Sequence, residues 1–237
     1  MTQFFAGLCA SVLGASMCSA SIHSLQSDWS DVSNPNGPWS LREGNNPLPH
    51  VSDWHLTPWG TPQPGWARSG NAGIGLPVFL KSNGTEAFGH DWAADQIVVH
   101  STDAVNGVGS GPANILFTVP EAGTLSVNGG VWIGRDIGRG VDWSIFLNGT
   151  LLTHGSVVSG DPFSSSTPLS FSAGSGGAGA VAGLNVSTND LLMLRFDSQN
   201  SGGGDFVGID LGVYIVPTPA TGALMGIGAI AFARRRR

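Results

Sequence analysis

At 237 residues the chain is long enough for one domain with a sizeable core, and 36 glycines beside only 11% charged residues suit an extracellular β-protein rather than a helical one. Residues 21–216 hold six basic side chains and all sixteen acidic ones, a net charge of −10 that repels phosphate backbones and argues against nucleic acid as a partner. Both cysteines, Cys9 and Cys18, lie in the first twenty residues, so a body without them must be held by packing rather than by disulfides.

The chain opens with MTQFFAGLCASVLGASMCSA. Residues 4–17 match the apolar region of a secretory signal, and Cys18, Ser19 and Ala20 form a small-residue cleavage site. The domain boundaries read as a signal peptide over 1–20, an ectodomain over 21–216 and a C-terminal segment over 217–237. Residues 28–77 then concentrate Trp29, Trp39, Trp54, Trp59 and Trp66 among eight prolines. That density excludes long helices and central strands, so the segment is expected to wrap over a sheet as short edge strands and loops. Its tryptophans supply buried area, with exposed sugar-stacking platforms as the alternative.

From Gln96 onward the period is that of strands. Leu125, Val127, Val131 and Ile133 alternate, and Gly129 and Gly130 between them suggest a bend or bulge. Val141, Trp143, Ile145 and Leu147 share a face, followed by Asn148-Gly149, the pair that a two-residue hairpin turn prefers. Leu192, Leu194 and Phe196 mark another strand, and Val207, Ile209, Leu211, Val213 and Ile215 alternate without a break. The expected fold is all-β, an antiparallel β-sandwich of the jelly-roll kind, with the Pro/Trp-rich segment wrapped over it.

After the strand at 211–216, Pro217 and Pro219 are expected to stop the sheet and leave an extended hinge. Residues 221–233 read as a short apolar helix of about 20 Å, less than the roughly 30 Å of a bilayer core. Arg234, Arg235, Arg236 and Arg237 orient it by the positive-inside rule. This order of Val216-Pro217-Thr218-Pro219, apolar helix and arginine cluster resembles the PEP-CTERM sorting signal, in its Val-Pro-x-Pro variant, with Thr218 where the usual signal has Glu. The stretches SNPNGPWSLREG, FTVPEAGTLSVNG, VDWSIFLNGT and GDFVGIDLGVYI resemble recurring segments of PEP-CTERM proteins with jelly-roll ectodomains. The resemblance implies an exosortase-like membrane protease as partner, cleavage near Val216 to Pro219, and transient anchoring in the inner membrane before release to the surface.

Candidate chemistry is sparse. His90, Asp91, Asp95 and His100 are the densest polar cluster, read as solvated loop residues ahead of a strand rather than as a metal or acid–base site. Asp197, Asn200, Asp205 and Asp210 offer calcium hard oxygens on a Gly-rich loop, but with no EF-hand spacing, and polar turn residues belong there in any case. Asn-x-Ser/Thr triplets at 83–85, 148–150 and 185–187 read as turns. No catalytic residue, cofactor or metal is expected. The sequence therefore reads as a non-enzymatic exported protein, structural or adhesive within an extracellular polysaccharide matrix. A carbohydrate-binding module and a glycan-active enzyme are the alternatives.

Overall fold

The computed structural model describes residues 19–54, 60–70, 75–101, 109, 111–199 and 205–218. The apolar stretch at 4–17, both cysteines, Trp59, Asn200, Pro219, the apolar segment at 221–233 and the four arginines lie outside them. Among the described residues no helix is long and apolar enough to cross a membrane.

The described residues form fifteen strands in two antiparallel sheets. They are β1 (Ser21–Ser24), β2 (Trp39–Glu43), β3 (Asn46–Pro47), β4 (His50–Trp54), β5 (Gln63–Ala67), β6 (Val78–Lys81), β7 (Ile97–His100), β8 (Ala113–Thr118), β9 (Gly123–Ile133), β10 (Gly140–Leu147), β11 (Thr150–Val158), β12 (Leu169–Ser170), β13 (Leu184–Val186), β14 (Leu191–Ser198) and β15 (Phe206–Pro217). One sheet runs β12-β9-β15-β7-β6-β5-β4, with β1 beside β15 and β13 beside β9; the other runs β11-β10-β14-β8-β2-β3.

The alternating residues read from the sequence make the core between the sheets. Val141, Trp143 and Ile145 on β10, Leu192, Leu194 and Phe196 on β14, and Val207 to Ile215 at every second position of β15 are all buried in one cluster. Polar residues between them face out, as period-two burial requires. Asn148 and Gly149 both take positive φ, 50° and 79°, and close the β10–β11 hairpin as that pair is suited to do.

Three expectations are corrected. The segment 28–77 does not stay at sheet edges: β2 lies between β8 and β3, and β5 between β4 and β6. Pro64 is accommodated because pairing with β6 starts only at Trp66, so its missing N–H costs no ladder bond there. Gly129 and Gly130 make no bulge, since β9 and β15 stay in register from Val207–Ile133 to Pro217–Gly123. They are required by close approach instead: a Cβ on Gly129 would overlap the Asp210 carbonyl, and one on Gly130 would overlap that of Leu169. Finally, β15 does not end at Val216 but includes Pro217.

Beyond the main core, β6 and β7 are covered on their second face too. Trp54, Leu76, Val78, Leu80, Trp92, Val98 and Phe206 form a separate buried cluster. This half of the larger sheet is thus covered on one face by the core and on the other by a layer that includes Trp54, at the end of β4, and the loop that carries Trp92.

Candidate functional site

The junction between body and C-terminal segment is the strongest candidate from the sequence. Here β15 is flanked on one side by β9 and on the other by the four-residue β1, with Ser21 opposite Ile215, Val216 opposite Thr124 and Pro217 opposite Gly123. The Thr218 N–H donates to the Ala122 carbonyl at 3.2 Å. Successive N–H groups of a strand point to opposite sides, so that of Thr218 faces β9 and position 217 faces β1. But β1 begins at Ser21, opposite Ile215, so among the described residues no strand stands at 217 to receive a donor. A proline there removes no hydrogen bond, and this is why Pro217 continues the strand. Gly123 allows the approach, since a Cβ on it would meet the Pro217 Cα at 2.9 Å. Ser21 is fixed in turn by its hydroxyl, which donates to Glu121 Oε1 at 2.7 Å. Val216, Pro217 and Thr218 are therefore held by the sheet, while Pro219 and Arg234 to Arg237 lie outside the described residues.

The same geometry places the two ends of the described body together. Antiparallel pairing of β1 with β15 sets the start of one beside the end of the other, so the chain enters and leaves at one pole. The hairpin turn at Asn148 and the turn 187–190 share that pole. Asn148 Nδ2 donates to Asp190 Oδ1 at 2.9 Å and its Oδ1 accepts from the Leu191 N–H at 2.8 Å. The Ser187 N–H donates to Asp190 Oδ2 at 2.8 Å. The backbone donor at Ser187, helped by the Asn148 amide, holds the Asp190 carboxyl below its ordinary pKa.

The polar cluster at 90–100 does not converge. Asp91 accepts from the Ser165 N–H at 2.7 Å and hydroxyl at 2.6 Å, which ties two loops together. His90 stacks on Trp92 with ring centroids 4.4 Å apart, and Asp95 is exposed beside Lys81, at 3.6 Å. His100 is not solvated, contrary to expectation: it is 3% exposed as the last residue of β7. Its Nε2 accepts the Asp205 N–H at 3.2 Å, so its proton is on Nδ1, 2.8 Å from the Ser101 carbonyl.

The calcium candidates are separated as well. Asp197 is paired with Arg195 on the same strand, Nε to Oδ2 at 2.6 Å, and this hydrogen bond raises the Arg195 pKa. Asp210 faces out from β15. Asp205 is buried, accepts from the Ser198 hydroxyl, and lies 3.6 Å from Arg139 Nη1. Among the described residues no group of three or more His, Cys, Asp or Glu could hold a metal ion.

Two polar networks had no signal in the sequence that would join their members. The Arg139–Asp205–His100 assembly joins residues 39 to 105 positions apart, and no local pattern marks such partners. The second is that of Glu86, whose carboxylate accepts from Gln63 Nε2 at 2.9 Å and Ser82 Oγ at 3.0 Å. The Asn83 N–H donates to Gln63 Oε1 at 2.9 Å, closing a network that pins the turn at 82–86 to β5.

The tryptophans of the described body pack rather than present platforms. Trp39, Trp54, Trp66, Trp92, Trp132 and Trp143 are all buried. A cavity of about 20 Å³ lies between Trp29, Trp39 and Trp66, room for about one water. The three indole N–H groups already donate to Asp31, Asp28 and the Ser30 carbonyl, at 2.8, 2.9 and 2.8 Å. These contacts clasp the N-terminal loop to the core.

No family model matches the chain, and no curated protein matches it. Among solved structures, the insecticidal delta-endotoxin Cry8Ea1 from Bacillus thuringiensis is similar over 47% of this chain and 20% of that one. At 15% identity and a TM-score of 0.27 the likeness carries no argument.

Proposed function

We propose that the chain is an exported protein whose jelly-roll body is carried to the cell surface or extracellular matrix by its C-terminal sorting signal. There it serves a structural or adhesive role among extracellular polysaccharides rather than catalysing a reaction. An exosortase-like membrane protease would remove the tail. The jelly-roll assignment is supported by the path of the chain, which crosses from sheet to sheet at β8–β9, β9–β10, β11–β12, β13–β14 and β14–β15.

The observation that carries the reading is the shared pole. Ser21, where the signal-like segment ends, sits beside Ile215, just before the sorting-like segment begins. Both apolar segments are then continuous with adjacent strands, so a precursor can be held on one side of a membrane by both without distorting its sheets. The pairing through Pro217 also limits where the tail can be cut. A bond between 216 and 218 lies within a paired strand, and a protease needs an extended, accessible segment. Removal is therefore expected after Thr218. Intact-mass measurement of the mature protein from its host tests this: the expected form starts at about Ser21 and ends at or beyond Thr218. A surface form still carrying residue 1 or Arg237 overturns it.

A further inference from the structure

The outer face of the larger sheet is divided. Its half far from the shared pole is covered: Trp132 lies over Gly208, with its Nε1 donating to the Asp91 carbonyl at 2.6 Å, and the backbone at Leu169 lies against Gly130. Among the described residues the half near the pole is uncovered, apart from the Gly183 N–H that donates to Ser126 Oγ at 3.2 Å at its edge. Ile22 on β1 stands directly opposite Tyr214 on β15, and Val216 follows two residues later on the same face. They are 65%, 38% and 56% exposed. Thr124 and Ser126 on β9 stand opposite Val216 and Tyr214. The Tyr214 ring leans toward Gly212, whose missing side chain leaves it a flat seat. The stretch from Gly212 to Val216 and its β1 and β9 neighbours carries no charge, with Asp210 on the same face of β15 and Glu121 beside Ser21 marking its edges, although the body as a whole is strongly acidic. The outer face of the smaller sheet, by contrast, carries Asp142, Arg195 and Asp197.

We propose that this bare face, centred on Ile22, Tyr214 and Val216, is a contact surface for lipid, and that the body lies on the bilayer with this face down while it is anchored. The inference rests on the export and anchoring reading above. Only three residue steps separate Thr218, the last residue held by the sheet, from the apolar segment at 221, which is at most about 10 Å of chain. The headgroup layer is itself about 5–8 Å deep on each side, so the tether keeps the pole within contact of the membrane. A body held that close lowers its free energy by turning an uncharged apolar face to the interface and its carboxylates to water. Tyrosine with aliphatic neighbours is the composition that such an interface accepts. Removal of the tail then frees the face.

The test uses the full chain with Cys9→Ser and Cys18→Ser, reconstituted into phosphatidylethanolamine–phosphatidylglycerol vesicles. A single nitroxide is attached at Tyr214→Cys, at Ile22→Cys as a second site on the face, or at Val158→Cys on the distant pole. Flotation with the vesicles reads anchoring; collision with oxygen and with a water-soluble nickel complex reads depth. The expected result is flotation, with loss of nickel access and gain of oxygen access at positions 214 and 22 but not at 158. Flotation with all three sites equally open to nickel overturns the lipid contact and leaves anchoring intact. Failure to float overturns the anchoring reading and this inference with it.

Discussion

Ile209→Ala should be among the more damaging single substitutions in the body, and Asp210→Ala, its neighbour, among the mildest. Ile209 is 3% exposed and lies in mid-strand with Val131 of β9 on one side and Ile97 of β7 on the other. Removing three buried carbons at about 0.8 kcal/mol each costs about 2.4 kcal/mol. Strands hydrogen-bonded on both sides keep the backbone from closing over the gap, and a residual void of about 50 Å³ adds about 1 kcal/mol. The total of about 3–4 kcal/mol should lower Tm by about 6–16 °C in a domain of this size. Asp210 faces solvent and should change stability by no more than about 0.5 kcal/mol. Urea unfolding followed by tryptophan fluorescence gives both numbers, with the slope m unchanged if only the native state is affected. A larger loss for Asp210→Ala than for Ile209→Ala would refute the facing of β15. If a chelator then reproduced the loss in the wild type, Asp210 would be holding a cation.

Gly208→Ala should be destabilising although it adds one methyl group, because a Cβ there meets Trp132 Nε1 at 2.6 Å and overlaps the ring. Displacing the indole also strains its bond to Asp91, so a loss of about 2–4 kcal/mol by urea unfolding is expected, and wild-type stability would contradict the packing. Asp190 should make the pole acid-sensitive. Its folded pKa is depressed, so its contribution is present above the unfolded value and lost as pH falls through the folded one. Thermal melts should fall more between pH 5 and pH 2 for the wild type than for Asp190→Ala, and parallel curves would remove Asp190 from the account. Glu86→Leu should leave Gln63 Nε2 and the Ser82 hydroxyl buried without their acceptor and cost about 1–3 kcal/mol, whereas a neutral result in the same assay would show the network to be dispensable.

What was legible in the sequence follows from burial. Strands β10, β14 and β15 separate a core from solvent along much of their length, so their residues alternate and their facing could be read directly. Strands β6 and β7 are covered on both faces, and Val78-Phe79-Leu80 and Ile97-Val98-Val99 are continuous apolar runs from which no facing could be derived. The four residues of β1, Ser-Ile-His-Ser, carry too little pattern to announce a strand and are defined only by their pairing with β15. The same holds for Asp205 and Arg139, which depend on the fold to bring them together. Trp39, Trp54 and Trp66 pack as expected, because many prolines deprive segment 28–77 of regular backbone bonds and large side chains supply its buried area.

The C-terminal junction shows how a local rule can be right while the boundary drawn from it is wrong. A proline cannot donate to a ladder, so reading Pro217 as the end of the sheet assumed that a partner was waiting on the side to which its N–H would point. Among the described residues no strand pairs on that side, because β1 starts only opposite Ile215, while the other side still offers β9, to which Thr218 donates. The cost of a proline is therefore set by the neighbour it faces. Pro217→Ala restores a donor that faces no paired strand among the described residues, and should change stability by no more than about 0.5 kcal/mol. Gly123→Val, on the partner strand, forces the Pro217 backbone away and should release residues 216–218 from the sheet. Limited proteolysis with mass mapping should then show new cleavage at 216–218 in Gly123→Val and none in Pro217→Ala. Equal cleavage of the two variants would mean that the strand ends at Val216 after all, and that tail removal could begin there.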